Sequence, residues 1–135
     1  MTKLISEILK EASNAKTQQE KVDILRKNDS PALREVLKYL YHPGIKLYTN
    51  TPPAYKADHS PVGLSFSSLY NEYRTLYIFL EDSTVKKERK DQLLIQKLES
   101  MHPSESELLY QRFQDKLLLR LNKKVINEAF AGLIA

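Results

Sequence analysis

The residues with the most chemistry to offer lie in one short stretch, "LLLRLNKKVIN" at 117–127. A guanidinium (Arg120), an amide (Asn122) and two ammonium groups (Lys123 and Lys124) interrupt an apolar run that resumes at Val125. A helix that buries one face does not place four polar groups in five positions between apolar ones. Such a set either stands in solvent at a corner between two helices or holds an anion such as a phosphodiester. Asn122 has the residue type and the position of an N-cap for a last short helix. A capped helix start turns free N–H groups and the positive end of its dipole toward an anion. Lys116 just before the corner, and Lys86 and Lys87 in "KKERKD", complete the candidate phosphate contacts.

Other chemistry finds no place. The chain has no cysteine, so it has no disulfide framework, thiol nucleophile or cysteine-based metal site, which fits a reducing compartment. Three glycines are too few for a phosphate-cradling loop. His42, His59 and His102 each sit beside or near a proline, none at metal-ligand spacing, and read as caps or exposed loop residues. "KADH" at 56–59 is distantly similar to the KxDG motif of nucleotidyl transferases, whose lysine is the nucleophile. Here His59 replaces the glycine and prolines surround the motif. Scattered carboxylates have Lys or Arg neighbours at helical spacing and read as surface pairs. The expectation is a binding module and not an enzyme, with no metal, cofactor or small-molecule substrate. Of the eight tyrosines, Tyr39, Tyr73 and Tyr77 read as half-buried on helices, and the loop residues Tyr48 and Tyr55 as contacts for a partner.

Charge points the same way. The net charge is +4; residues 84–124 hold ten Lys or Arg against six Asp or Glu, and residues 1–83 hold eleven against ten. An uneven basic excess suits a polyanionic partner. "MTKLISEILKEAS" carries Lys and Glu through its apolar positions, so it reads as an amphipathic helix and not a signal peptide. The longest apolar runs are too short to span a bilayer.

The elements that position these residues are helical. Leu4, Ile5, Ile8, Leu9 and Ala12 mark one face of a helix over 2–13. Thr17 with Glu20 reads as a capping box ahead of a helix ending near "KND". Ser30-Pro31 starts a helix to Tyr41 with Leu33, Val36, Leu37 and Leu40 inward. Residues 42–63 hold four prolines and two glycines and form a long irregular loop, with a short extended piece near Ile45–Tyr48. A helix capped by Ser65 or Ser67 then carries Leu69, Tyr73, Leu76, Tyr77 and Leu80 inward. It is followed by one over 84–100 with Leu93, Leu94, Ile95 and Leu98. Next comes one over about 105–119, started by a Ser104–Glu107 capping box and burying Leu108, Leu109, Phe113 and Leu117. A helix from Asn122 to Ala129 or Phe130, with Gly132 after it, ends the chain. The expected fold is all-α: one domain over 1–135, a compact bundle of six to seven short helices with one Pro-rich loop.

The order of these features resembles the N-terminal DNA-binding domain of T-even-phage-type ATP-dependent DNA ligases. The likeness lies in "LISEILKEASNAKTQQEKVDILRKNDSPALREVLKYLYHPGIKLY", in "VGLSFSSLYNEY", and in "LLYQRFQDKLLLRLNKKVINEAFAGLI" with its terminal Gly-Leu-Ile. It covers essentially the whole chain, and its weight rests on collinearity, since the motifs are short and mostly apolar. The resemblance implies an all-helical domain that wraps nicked duplex from the minor-groove side and contacts the phosphodiester backbone, with catalysis in domains outside this sequence. Ligase corners of this type carry a glycine and a small hydroxyl residue before the last helix. Here Arg120 and Asn122 stand in those places, and the larger side chain at 120 either blocks the family's close backbone approach to DNA or replaces it with a charged contact.

Three readings stay open. The first is a stand-alone, largely sequence-independent duplex-DNA-binding protein of a phage, acting in the cytoplasm of the infected bacterium. The second reuses the fold for contacts with a phage or host protein, as an accessory, adaptor or virion component, through the Tyr- and Pro-rich loop. The third is a subunit of a split ligase.

Overall fold

The computed structural model describes residues 3–58 and 64–134. His59, and with it the end of the KADH motif, lies outside the described residues, as does the 60–63 end of the Pro-rich loop. The fold is all-α: α1 (Ile5–Asn14), α2 (Gln18–Lys27), α3 (Pro31–Tyr41), α4 (Leu69–Glu72), a 3-10 segment Tyr73–Phe79, α5 (Lys87–Ser100), α6 (Pro103–Phe113) and α7 (Lys123–Ala129). The only pairing of strand type among the described residues is a single antiparallel bridge, Leu47 to Leu80. By contact density the chain forms two units, Met1–Gly44 with Leu118–Ala135, and Ile45–Leu117.

The first unit holds α1, α2, α3 and α7. α1 packs on α2, and α2 on α7. The apolar stripes expected from spacing are the buried ones: Ile5, Ile8, Leu9 and Ala12 on α1, Val22 and Leu25 on α2, Leu33, Val36, Leu37 and Leu40 on α3. Caps set the boundaries. Ser30 Oγ accepts the Leu33 N–H at 3.0 Å with Pro31 at the first helical position. Thr17 Oγ1 accepts the Glu20 N–H at 3.1 Å. The reciprocal half of that expected box is altered, because Glu20 takes the Lys16 N–H (3.3 Å) instead of the one on Thr17. α3 stops at Tyr41 because His42 precedes Pro43 and is held extended (ψ 123°).

In the second unit α5 packs on α6 and on the 3-10 segment. Three expectations are corrected here. The helix expected from Ser65 or Ser67 to Leu80 begins after Ser68, runs for four residues, and tightens into the 3-10 segment. With three residues per turn, the residue following Leu76 on the inner face is Phe79 and not Leu80. Phe79 is fully buried and Tyr77, expected inward, is 64% exposed. Secondly, α6 starts at Pro103 with His102 as the cap, its Nδ1 accepting the Ser104 N–H at 3.2 Å, so the Ser104–Glu107 box is not formed. Thirdly, α6 ends at Phe113 and not near 119. Asp115 adopts φ 57°, the Lys116 N–H reaches the Gln111 carbonyl (2.8 Å) and the Asp115 N–H the Arg112 carbonyl (3.2 Å). That is a Schellman stop with Asp in the place usually held by glycine. Leu117–Leu119 are therefore outside any helix, and Leu118 is 78% exposed.

The Pro-rich loop is a strap along the second unit. The Tyr48 N–H donates to the Phe79 carbonyl (2.9 Å) and the Glu81 N–H to the Lys46 carbonyl (2.8 Å). Arg112 reaches the Ile45 carbonyl (3.0 Å), the Tyr110 hydroxyl the Pro52 carbonyl (3.2 Å), and the Lys56 N–H the Glu99 carboxylate (2.7 Å). These bonds satisfy backbone groups that no ladder or helix would otherwise pair.

Candidate nucleic-acid interface

The corner at 118–122 is assembled from three helices of the first unit. Leu121, Val125 and Ile126 are buried and anchor it. Asn122 is the cap expected from sequence: its Oδ1 accepts the Val125 N–H at 2.9 Å. The peptide groups on both sides of the Arg120 Cα are gripped. Its N–H donates to Ser13 Oγ on α1 (2.6 Å), and its carbonyl accepts from Lys21 Nζ on α2 (2.6 Å). At the other end of α7, Arg26 donates to the Glu128 (2.7 Å) and Ala129 (3.2 Å) carbonyls, and Gln18 donates to the Glu128 carboxylate (2.7 Å). A cation on the last carbonyls complements the negative end of the helix.

With the backbone fixed in this way, Arg120, Lys123 and Lys124 project into solvent. Among the described residues none of them, nor Lys21, makes an ion pair. The charge of the chain is distributed accordingly. The first unit holds eleven Lys or Arg against seven Asp or Glu, and the second holds ten against ten. The excess that sequence segments assign to 84–124 thus belongs, by fold, to the unit with the corner. Lys21 was missed by sequence reasoning. It lies 99 residues from Arg120 in an unremarkable amphipathic helix, and nothing local marks it.

The other candidates fall in the second unit. Lys86 is exposed at the cap position of α5, with no side-chain capping bond, and Lys87 is ion-paired with Asp91 (3.1 Å). Lys116 is exposed beyond the Asp115 stop. Tyr48 is engaged inside the unit: its ring lies 5.9 Å from Phe113 and 6.3 Å from Phe79, and its hydroxyl donates to Asp91 at 2.6 Å. Burial, then the hydrogen bond to Asp91 and its charge, raises its pKa above the ordinary tyrosine value. The same hydrogen bond, with that of Lys87, holds the Asp91 carboxyl below its usual range. The Tyr55 ring stacks obliquely on Tyr110 at 5.2 Å. The loop tyrosines therefore serve the strap, while the exposed aromatics of this unit are Phe66 (94%) and Tyr77 (64%).

Two histidines act as turn and cap residues. His42 Nδ1 accepts the Gly44 N–H (2.9 Å), and His102 caps α6. Among the described residues no three His, Cys, Asp or Glu side chains are grouped so as to hold a metal, and no helix is long and apolar enough to cross a membrane. Replacing Asn122 by Ala is expected to destabilise the protein by about 1 kcal/mol through loss of the cap. Urea denaturation checks this, and an unchanged midpoint would show that the Leu121, Val125 and Ile126 anchors alone hold the corner.

No curated protein matches the chain. A family model does, over residues 8–120, which begins within α1, takes in α2 to α6 and the strap, and stops at Arg120, before the Asn122 cap and α7. The chain belongs to DUF6433, a family of unknown function.

Proposed function

We propose that this protein is a non-catalytic, largely sequence-independent duplex-DNA-binding module that grips the phosphate backbone through the 118–124 corner. The observation that carries the reading is the cluster of exposed cations, Arg120, Lys123 and Lys124, on a doubly anchored backbone, with no carboxylate among the described residues ion-paired to them. The concentration of the whole positive excess in that unit supports it, as does the resemblance to the ligase N-terminal domain. Phosphate contacts orient a protein without reading bases, so binding is expected to be indifferent to sequence. The test is an anisotropy titration of nicked and intact duplexes at about 50 and 200 mM salt. Three to four phosphate contacts give a slope of log affinity on log salt of roughly −3 to −4, with a dissociation constant of roughly micromolar or weaker at physiological salt. A slope near zero, or no binding at about 50 mM salt, removes the reading.

A second reading has its own observation. The second unit is charge-balanced and exposes Leu64 (71%) and Phe66 (94%). Phe66 rims a cleft of about 340 Å³ that is also lined by Ile78, Phe79, Leu93 and Lys97. Exposed apolar side chains around a concavity suit protein contact. On this reading the chain is an accessory, adaptor or virion protein. Recovery of a complex with a phage or host protein that survives nuclease treatment would favour it over DNA binding.

A further inference from the structure

We infer that Lys21 on α2 belongs to the phosphate site at the Arg120 corner, both as the residue that positions Arg120 and as a fourth cation. The inference rests on the DNA-binding reading and adds a residue that the corner sequence does not contain. Lys21 Nζ lies 2.6 Å from the Arg120 carbonyl, which places its ammonium beside the backbone that carries the guanidinium. The preceding peptide group, which carries the Arg120 N–H, is fixed by Ser13 Oγ at 2.6 Å. With the peptide groups on both sides of its Cα held, Arg120 cannot rotate freely about its backbone bonds, so its side chain leaves the backbone in a set direction. That suits a planar fork, which binds two phosphate oxygens only when correctly aimed.

A tether alone would not require a charge. An ammonium group has three donors, and the Arg120 carbonyl uses one. Lys21 is only partly buried and makes no ion pair among the described residues, so its charge adds to that of the residue whose backbone it holds. Lys123 and Lys124 follow three and four residues later. Four like charges with no counter-charge repel one another, and a shared polyanion removes the repulsion.

The experiment is a double-mutant cycle on duplex binding, with Lys21→Met, Arg120→Ala and the pair, each titrated at two salt concentrations. Lys21→Met keeps the length and apolar stem and removes the ammonium. Loss of its own contact and weakening of that of Arg120 should reduce affinity roughly five- to tenfold and lower the salt slope by about one to two. The Arg120→Ala loss should be smaller in the Lys21→Met background than in the parent, because a misaimed guanidinium has less to lose. Lys21→Arg, which retains a donor and a charge, should bind within about twofold of the parent. It also covers the case in which the Met variant fails to fold, since an arginine variant that folds but binds at least fivefold more weakly overturns the charge role. A parent that binds with the expected slope while Lys21→Met is unchanged, or losses that add in the cycle, overturns this inference and leaves the DNA reading standing. A parent with no salt-dependent binding overturns both.

Discussion

Exchanging Arg120, Lys123 and Lys124 together for alanine is expected to weaken duplex binding by about a hundredfold near 0.15 M salt. Each phosphate contact releases roughly 0.9 counterion, which at that salt corresponds to about fivefold in affinity. Three contacts therefore give about a hundredfold, or close to 2.7 kcal/mol, with a slope shallower by nearly three. Folding should be preserved. All three side chains are exposed and make no ion pair among the described residues, so their removal should change stability by about 0.5 kcal/mol or less. The backbone bonds from Ser13 and Lys21 do not depend on the Arg120 side chain. The matched comparison is Lys86→Ala with Lys87→Ala in the charge-balanced second unit, where Lys87 is already held by Asp91. That pair should lose little. If it weakens binding as much as the corner triple does, or if the triple retains the parental slope, the corner is a solvated turn.

What could be read in the sequence was what is local. Period and capping chemistry placed α1, α2, α3 and α7 and the caps Thr17, Ser30 and Asn122, because each signal lies within four residues of its partner. What could not be read depends on partners far along the chain. The switch to a 3-10 register turns on Phe79 entering an aromatic cluster with Tyr48 and Phe113. The N–H of Leu69 at the start of α4 is taken by Glu105, 36 residues away, and not by a nearby serine. The end of α6 is set by Asp115 in a left-handed conformation, which leaves no glycine to see. His102-Pro103 repeats the pattern of Ser30-Pro31, yet histidine is a weaker cap signal than Ser104 two residues on, so residue type points past the residue that caps α6. Charge misleads in the same way. Lys90 and Lys97 look like a solvated basic face, but with Leu94 and Met101 they form one buried stripe of α5 and beyond, 4% and 7% exposed for the two lysines. Lys90 is reconciled to burial by the Leu80 (3.1 Å) and Ser83 (3.2 Å) carbonyls and by the Tyr48 ring at 5.3 Å.

The second buried lysine carries the other large expected effect. Lys97 Nζ donates to Glu72 Oε1 (2.8 Å) and Thr75 Oγ1 (2.6 Å), and Glu72 Oε2 accepts from Ser67 Oγ (2.8 Å). Lys97→Met should destabilise the protein by about 2–3 kcal/mol. Breaking a buried pair on one side typically costs about 3–5 kcal/mol, and the lower end applies because the Glu72 side chain is 25% exposed and keeps Ser67. The pH dependence identifies the cause. Burial pushes the Glu72 carboxyl up, but the Lys97 and Ser67 hydrogen bonds and the Lys97 charge outweigh it and hold the carboxyl below its ordinary value of 4.5. A carboxyl depressed in the folded state stabilises above its unfolded pKa, and that contribution disappears as pH falls through the folded value. In the variant only Ser67 opposes burial, so the carboxyl rises, and acid neutralises the stranded charge. The stability gap between parent and variant should therefore be widest near neutral pH and narrow as pH falls through the variant's raised value and on through the parent's, which lies below 4.5. Urea denaturation of both proteins at pH 7 and pH 4 measures it, with Glu72→Gln added to Lys97→Met expected to recover part of the loss at pH 7. A gap of equal size at both pH values would mean that the ammonium's bonds to the neutral Thr75 hydroxyl and Glu72 carbonyl, and not the ion pair, are what unit Ile45–Leu117 depends on.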